Sequence, residues 1–322
     1  MTRAKPRRAL VAGWFSFDWM GASAGDLMAR DVVTGWLDQA GIAFDVAMTA
    51  HLGGGVLVDQ VDPADYSDLI FVCGPLGNGE PVTSLLERFG HANLVSINNS
   101  MLQDLDEWNP FDLLIERDSS RASRPDIALL AENELVPVAG LILVHKQKEY
   151  AQGRYDHVHS LLRAFLDEQP AAIVQIDTCL DPENQTGLRS PREIEALIAK
   201  MDVVLTTRLH GLVLSLKNGV PAIAVDPIAG GAKIVKQAAA LGWPYVFSPE
   251  TLSKEALSRA YDDCMSGKGR QLAQCCAAEA RRQLDQSKAT FLNFVESGER
   301  GCQENADSSP LALTCPPLVP RS

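Results

Sequence analysis

Residues 202–226 read DVVLTTRLHGLVLSLKNGVPAIAVD, and this stretch decides the fold. Its opening run, 203–206, is apolar up to Thr206 and rich in valine, which is how a central strand buried on both faces reads. A helix is expected from about Gly211, where leucine and valine dominate. A second apolar run then closes on Asp226. Strand, helix and strand in so short a span make a crossover unit of a parallel sheet.

Two residues break the apolar pattern, Arg208 and His210, where the first strand meets the helix. In parallel α/β sheets, ligands gather at the C-terminal ends of the strands. A spacing of two near a strand end puts both side chains on one side and turns Leu209 inward. The helix start adds backbone N–H groups and the positive end of its dipole. The pattern suits an anion site holding an acid/base group. An arginine paired with a structural carboxylate, and a histidine capping the helix, would leave the same letters.

Outward from this unit, strands and helices alternate along both halves of the chain. The first half offers strands at 9–15, 43–49, 68–74, 93–100 and 111–119, with helices at about 26–40 and after Pro81. The second half offers strands at 138–147, 171–178, 203–206 and 222–226, with helices at about 157–168, 191–200 and 232–241. Two Rossmann-like parallel-sheet domains are expected, 1–134 and 135–300, followed by a disordered tail at 301–322, rich in proline and short polar residues. Helices are expected across 253–299.

The balance of 29 basic against 41 acidic residues, net charge −12, argues against nucleic acid or an anionic membrane surface as a partner. An anionic ligand must therefore meet a local cationic pocket. Seven cysteines, an odd number without CxxC pairing, suit reduced thiols in a cytoplasmic protein. The basic start and the ASA at 22–24 imitate a signal peptide. The apolar run between them is short and reads as the first strand, and no stretch approaches the roughly 18 apolar residues of a membrane span.

Other strand ends carry candidate residues. In PIAGGAK, Gly230 and Gly231 permit close backbone approach at a strand-to-helix turn, and Lys233 in the first helical turn suits a bound phosphate; a flexible turn with a solvated lysine is the plainer alternative. SAGD, with Gly25 and Asp26, opens the first helix, where Asp26 suits an N-cap. CGPLGNGE, from Cys73 through Gly74 to Glu80, is a glycine-rich turn after an apolar strand. IERDSS places Arg117 and Asp118 at a further strand end. His157 and His159, two apart on a helix, face different ways and make a poor metal pair. Trp14 and Trp19 flank the first turn and suit either sugar stacking or core packing.

DVVLTTRLHGLVLSLKNGVPAIAVD followed by GGAK resembles the signature of the polysaccharide pyruvyl transferase family. Supporting matches run in order along residues 9–246: AGD after the first strand, DLIFVCGP, ERDSS, and RPDIAL before the second domain. The resemblance implies a fold similar to the GT-B glycosyltransferases, with the active site in the interdomain cleft. It implies transfer of a pyruvyl group from phosphoenolpyruvate to two hydroxyls of a glycan or lipid-linked sugar in exopolysaccharide biosynthesis. The domain 1–134 would be the acceptor side and 135–300 the donor side. Carried over, the family's Arg and His fall on Arg208 and His210 as catalytic residues, and its upstream arginine on Arg117. Arg117, Lys233, Gly230, Gly231, Asp26, Gly25, Gly74 and Glu80 are then expected to bind substrate. No metal or cofactor is expected beyond the donor substrate, and homo-oligomerisation is left open. Pro75 and the long aromatic first turn depart from the family pattern on the acceptor side. A sugar-nucleotide glycosyltransferase of the same fold and an inactive binding module remain alternatives.

Overall fold

The computed structural model describes residues 7–18, 21–145, 153–182, 184, 186–228 and 233–297. The chain divides into two compact units, Met1–Glu134 and Leu135–Ser322. The tail at 301–322, Trp19 and the Gly230–Gly231 pair lie outside the described residues.

In the first unit, β1 (Arg8–Ala12), β2 (Ala43–Val46), β3 (Asp68–Leu76), β4 (Asn93–Met101) and β5 (Leu113–Ile115) form one sheet in the order β2-β1-β3-β4-β5. All of its pairs are parallel. Side chains alternate between the two faces, and both faces are covered. Leu10, Ala12, Leu69 and Phe71 join a core with Val82, Leu85 and Phe89 of α2 (Val82–Arg88) and its C-terminal flank. Ala9, Val11, Ile70 and Val72 join another with Ala29, Val33 and Leu37 of α1 (Ala24–Gln39). Period-two alternation with apolar residues at every position is the reason these strands read as unbroken apolar runs.

β1 is shorter than its apolar letters suggest. After Gly13 the chain turns, with the Gly13 N–H donating to Ser16 Oγ at 3.1 Å and Ser16 Oγ donating to the Ala47 carbonyl at 2.7 Å. β3 runs longer than expected, through Gly74 and Pro75 to Leu76, so part of the anticipated glycine-rich turn is strand.

In the second unit, β6 (Val138–Ile142), β7 (Ala172–Gln175), β8 (Val203–Thr206), β9 (Ala222–Val225) and β10 (Val246–Phe247) form a sheet in the order β10-β9-β8-β6-β7, again all parallel. In each sheet the second strand of the unit lies on one side of the first, and the remaining three lie on the other. The direction of winding therefore reverses between β1 and β3, and between β6 and β8. Such switch points open a crevice at the C-terminal ends of the two strands concerned.

α3 (Tyr155–Asp167), α4 (Pro191–Ile198), α5 (Leu209–Lys217), α6 (Lys233–Leu241), α7 (Lys254–Met265) and α8 (Gly267–Ser297) complete this unit. Local chemistry starts several of them. Ser190 caps α4 and Glu193 completes the box; Ser253 caps α7. α5 ends at Gly219, whose φ of 68° suits glycine. Leu141, Ile142, Leu162, Leu205, Leu212 and Ile223 are buried in one core. Among the described residues no helix is long and apolar enough to cross a membrane.

Candidate functional site

α5 begins at Leu209, two residues earlier than its letters suggest, and Arg208 occupies the N-cap position with extended backbone angles. Leu209 and His210 are therefore helical, and the period-two relation between Arg208 and His210 does not hold. The early start is made by Thr206, whose hydroxyl accepts the Arg208 N–H at 2.9 Å and donates to the Arg208 carbonyl at 3.1 Å. Gly211 then lets the helix close onto the strand. A Cβ there would lie 2.1 Å from Thr206 Oγ1 and 3.2 Å from Ile142 Cγ2.

Arg208 is half-buried and donates from Nη1 to Asp177 Oδ1 at 3.0 Å. Asp177 follows β7 and is a convergence point. Its Oδ2 meets His145 Nε2 at 3.0 Å, and its Oδ1 also accepts the Cys179 N–H at 2.9 Å. Burial of Asp177 works to raise its pKa, but the hydrogen bonds from His145 and Cys179 and the charges of His145 and Arg208 outweigh it, holding the carboxyl below its usual range. His145 lies just beyond β6. Beside β8, Thr207 donates from Oγ1 or accepts there with His159 Nε2 at 3.2 Å and accepts the Val144 N–H at 2.9 Å. The Thr178 hydroxyl is buried with no hydrogen-bond partner among the described residues. His145, Asp177, Thr207 and Arg208 thus gather at the ends of β6, β7 and β8, around the switch point. His210 sits exposed in the first turn of α5, and none of the hydrogen bonds among the described residues involves its ring.

Sequence reading placed Arg208 and His210 here and missed His145 and Asp177. Both lie at the ends of apolar runs, a weak signal, and their link to Arg208 spans 31 residues or more.

One strand over, Asp226 closes β9 and is fully buried. It accepts the N–H groups of Ile228, Ile234 and Val235, the last two in the first turn of α6. The anion at the start of α6 is thus the chain's own carboxylate, which accounts for a lysine tolerated at Lys233.

The remaining candidates lie at strand ends of the first unit. Arg117 is held on three sides, donating to Asp126 at 2.9 Å, to Asp118 at 3.2 Å and to Ser100 Oγ. Opposite one another in β3 and β4, Cys73 and Asn98 take positive φ, 66° and 62°, and the regular pairing skips them. Asn98 Nδ2 meets Asp126 at 2.9 Å, and Asn99 Nδ2 donates to the Cys73 carbonyl at 2.7 Å, so buried amides hold the distortion. Burial pushes the Cys73 thiol up to about 11, and the neighbouring Asp26 carboxylate adds to the shift. Asp26 is not the N-cap of α1. Ser23 is, and Asp26 returns the bond from the third helical position. A Cβ on Gly25 would meet only Ser23 Oγ, at 3.6 Å. On Gly74, whose φ is 88°, a Cβ would strike the Trp14 ring at 2.2 Å. Trp14 packs against Phe17 and Phe71. Glu80 is exposed. No cluster of three or more His, Cys, Asp or Glu side chains suited to a metal occurs among the described residues.

Fold and site together define an α/β protein of two doubly wound parallel-sheet units, with cationic and imidazole side chains at a switch point. Within that class, residues 125–227 match the model of the polysaccharide pyruvyl transferase family, which supports the resemblance seen in the sequence. The matched segment contains Arg208, His210, His145 and Asp177, and ends just before the start of α6. No curated protein matches the chain. Among solved structures, the glycotransferase of kitacinnamycin is 12% identical, covering 90% of this chain and 99% of that one, with a TM-score of 0.31. The UDP-GlcNAc 2-epimerase of Methanocaldococcus jannaschii is 11% identical, covering 86% and 99%, with a TM-score of 0.30.

Proposed function

We propose that the protein transfers a pyruvyl group from phosphoenolpyruvate to two hydroxyls of a polysaccharide sugar or its lipid-linked precursor, forming a ketal and releasing phosphate. The observation that carries this reading is Arg208, inside the matched segment, fixed at the end of β8 with one guanidinium nitrogen on Asp177. The other edge of the fork has no hydrogen bond among the described residues. A fixed guanidinium with an open edge is suited to a carboxylate or phosphate, and the donor carries both. In an acidic chain such a local cation is what an anionic donor requires.

The reaction joins two hydroxyl oxygens to the enol carbon. One proton is added to the methylene, two are lost from the hydroxyls, and phosphate leaves with its C–O electron pair and a proton. Imidazole, with an unperturbed pKa of about 6.5 in model peptides, serves for such transfers at neutral pH, and His210 lies two residues from Arg208. Arg117 already spends three of its five N–H donors on Asp126, Asp118 and Ser100, whereas Arg208 spends one on Asp177, so Arg208 is taken as the primary anion contact. Lys233 lies one strand over, where Asp226 already fills the start of α6, so no contact with the donor is assigned to it. The thiols Cys73, Cys179, Cys264 and Cys275, outside any disulfide among the described residues, fit a cytoplasmic location, where the donor is at hand.

The test is incubation with phosphoenolpyruvate and p-nitrophenyl hexosides, following phosphate. Release that requires the hexoside, with a product heavier by one pyruvyl ketal in mass spectrometry, is expected. Turnover of a nucleotide sugar in its place, or none with either donor, refutes the reading.

A further inference from the structure

The carboxylate that fixes Arg208 also fixes a second imidazole. Asp177 holds Arg208 through Oδ1 and His145 through Oδ2, each at 3.0 Å. The Asp177 side chain is 10% exposed, whereas that of His145 is 61% exposed. The pair thus has a buried acceptor end and an open ring. In a ring whose Nε2–H donates to a carboxylate, Nδ1 carries the lone pair and is free to act. The position is set by the fold. His145 lies just beyond the end of β6 and Arg208 just beyond the end of β8, the two strands between which the winding reverses, so both sit at the crevice such sheets use for ligands.

We propose that His145 is a catalytic base and that Asp177 is its positioning residue, the two forming a proton-handling dyad beside the anion held by Arg208. The catalytic part of this inference rests on the pyruvyl-transfer reading. When an acceptor hydroxyl attacks, its O–H bond breaks and the proton passes to Nδ1. The oxygen's electron pair forms the new bond to the ketal carbon, already saturated by protonation of the methylene and addition of the first hydroxyl, while the C–O bond to phosphate breaks and phosphate leaves with the electrons of that bond. The imidazolium so formed lies against the Asp177 carboxylate, which the Cys179 N–H and Arg208 keep ionised and oriented, the arrangement by which a buried carboxylate supports a base. Two imidazoles, His145 and His210, then serve a reaction in which protons are both removed and supplied.

Two measurements on the full chain decide the matter. The ring nitrogens of His145, assigned by loss of their NMR signals in His145→Gln, should show the Nε2–H tautomer in the neutral ring, and Asp177→Asn should abolish that preference. With phosphoenolpyruvate and p-nitrophenyl hexosides, His145→Gln should release phosphate about 10²-fold more slowly, the effect of losing a general base. The rise in Tm caused by phosphoenolpyruvate should be kept. His145 is largely exposed, so the Gln variant should fold even if Asp177→Asn does not. An Nδ1–H tautomer in the parent, or a Gln variant turning over at the parent rate, overturns the dyad. A parent that releases no phosphate from phosphoenolpyruvate instead sinks the pyruvyl-transfer reading. The dyad then stands only if the tautomer is Nε2–H and inorganic phosphate titrated into the protein moves the Nδ1 signal; failure of either overturns it.

Discussion

Gly211→Ala is a one-carbon change that probes how Arg208 is held. The added Cβ would lie 2.1 Å from Thr206 Oγ1, 2.9 Å from Thr206 Cβ and 3.2 Å from Ile142 Cγ2. Thr206 is fully buried, so its hydroxyl cannot swing into solvent. Helix propensity favours alanine over glycine by about 1 kcal/mol at most. Overpacking of this kind costs about 1–3 kcal/mol. Displacing the Thr206 hydroxyl also weakens its two bonds to the Arg208 backbone, at about 1 kcal/mol for a hydrogen bond. The net loss is therefore about 1–3 kcal/mol, which for a unit of this size lowers Tm by roughly 3–10 °C. Circular dichroism melts measure it, and a second variant isolates the cause. Thr206→Ala removes the obstructing hydroxyl, so Gly211→Ala in that background should cost about 1 kcal/mol less than alone. A Gly211→Ala protein that melts at or above the parent temperature would refute the claim that this glycine exists for close helix-to-strand approach.

Three further outcomes are expected. Arg208→Lys keeps the charge and loses the fork, so it should lower kcat/KM by about 10²–10³-fold and abolish the rise in Tm caused by phosphoenolpyruvate, with little change in the ligand-free melt; an undiminished rise would refute the anion contact. Asp226→Asn leaves a carboxylate's acceptor role to one amide oxygen, with an N–H donor facing the first turn of α6. It should cost about 1–3 kcal/mol in a urea melt, and an unchanged midpoint would count against the cap. Asp68, hydrogen-bonded foremost to Arg7, has its pKa lowered from 3.8 to about 2 against the opposing effect of burial. A depressed folded-state pKa stabilises fully above the unfolded value, and the contribution fades as pH falls from about 4 towards 2. Arg7 is 61% exposed, so solvent screening holds the pair to on the order of 1 kcal/mol. Asp68→Asn should flatten the acid limb of the stability curve by that amount, and an unaltered limb would refute the assignment.

Much of this protein is written locally. Strands buried on both faces declare themselves as apolar runs, since Leu69, Ile70, Phe71 and Val72 of β3 enter one core and then the other in turn, and Val203, Val204 and Leu205 of β8 all enter the core of their unit. Ser190 with Glu193, and Ser253, announce helix starts because a cap reaches only three residues along the chain. Arg208 and His210 stood out for the same reason, as polar letters at the edge of a run. Even so, the start of α5 was misplaced by two residues, because Thr206 and the close fit at Gly211 decide it through contacts across the strand. The partnership of His145, Asp177 and Arg208 was not legible, nor was the positive-φ pairing of Cys73 with Asn98, nor the occupation of the α6 start by Asp226. Each depends on which strands lie side by side. The order β10-β9-β8-β6-β7 is a property of long-range pairing that no short window of letters contains. Parallel crossovers carry distant residues to the same end of the sheet, so the composition of that end is fixed by strand order, while the sequence itself settles only what each strand delivers there.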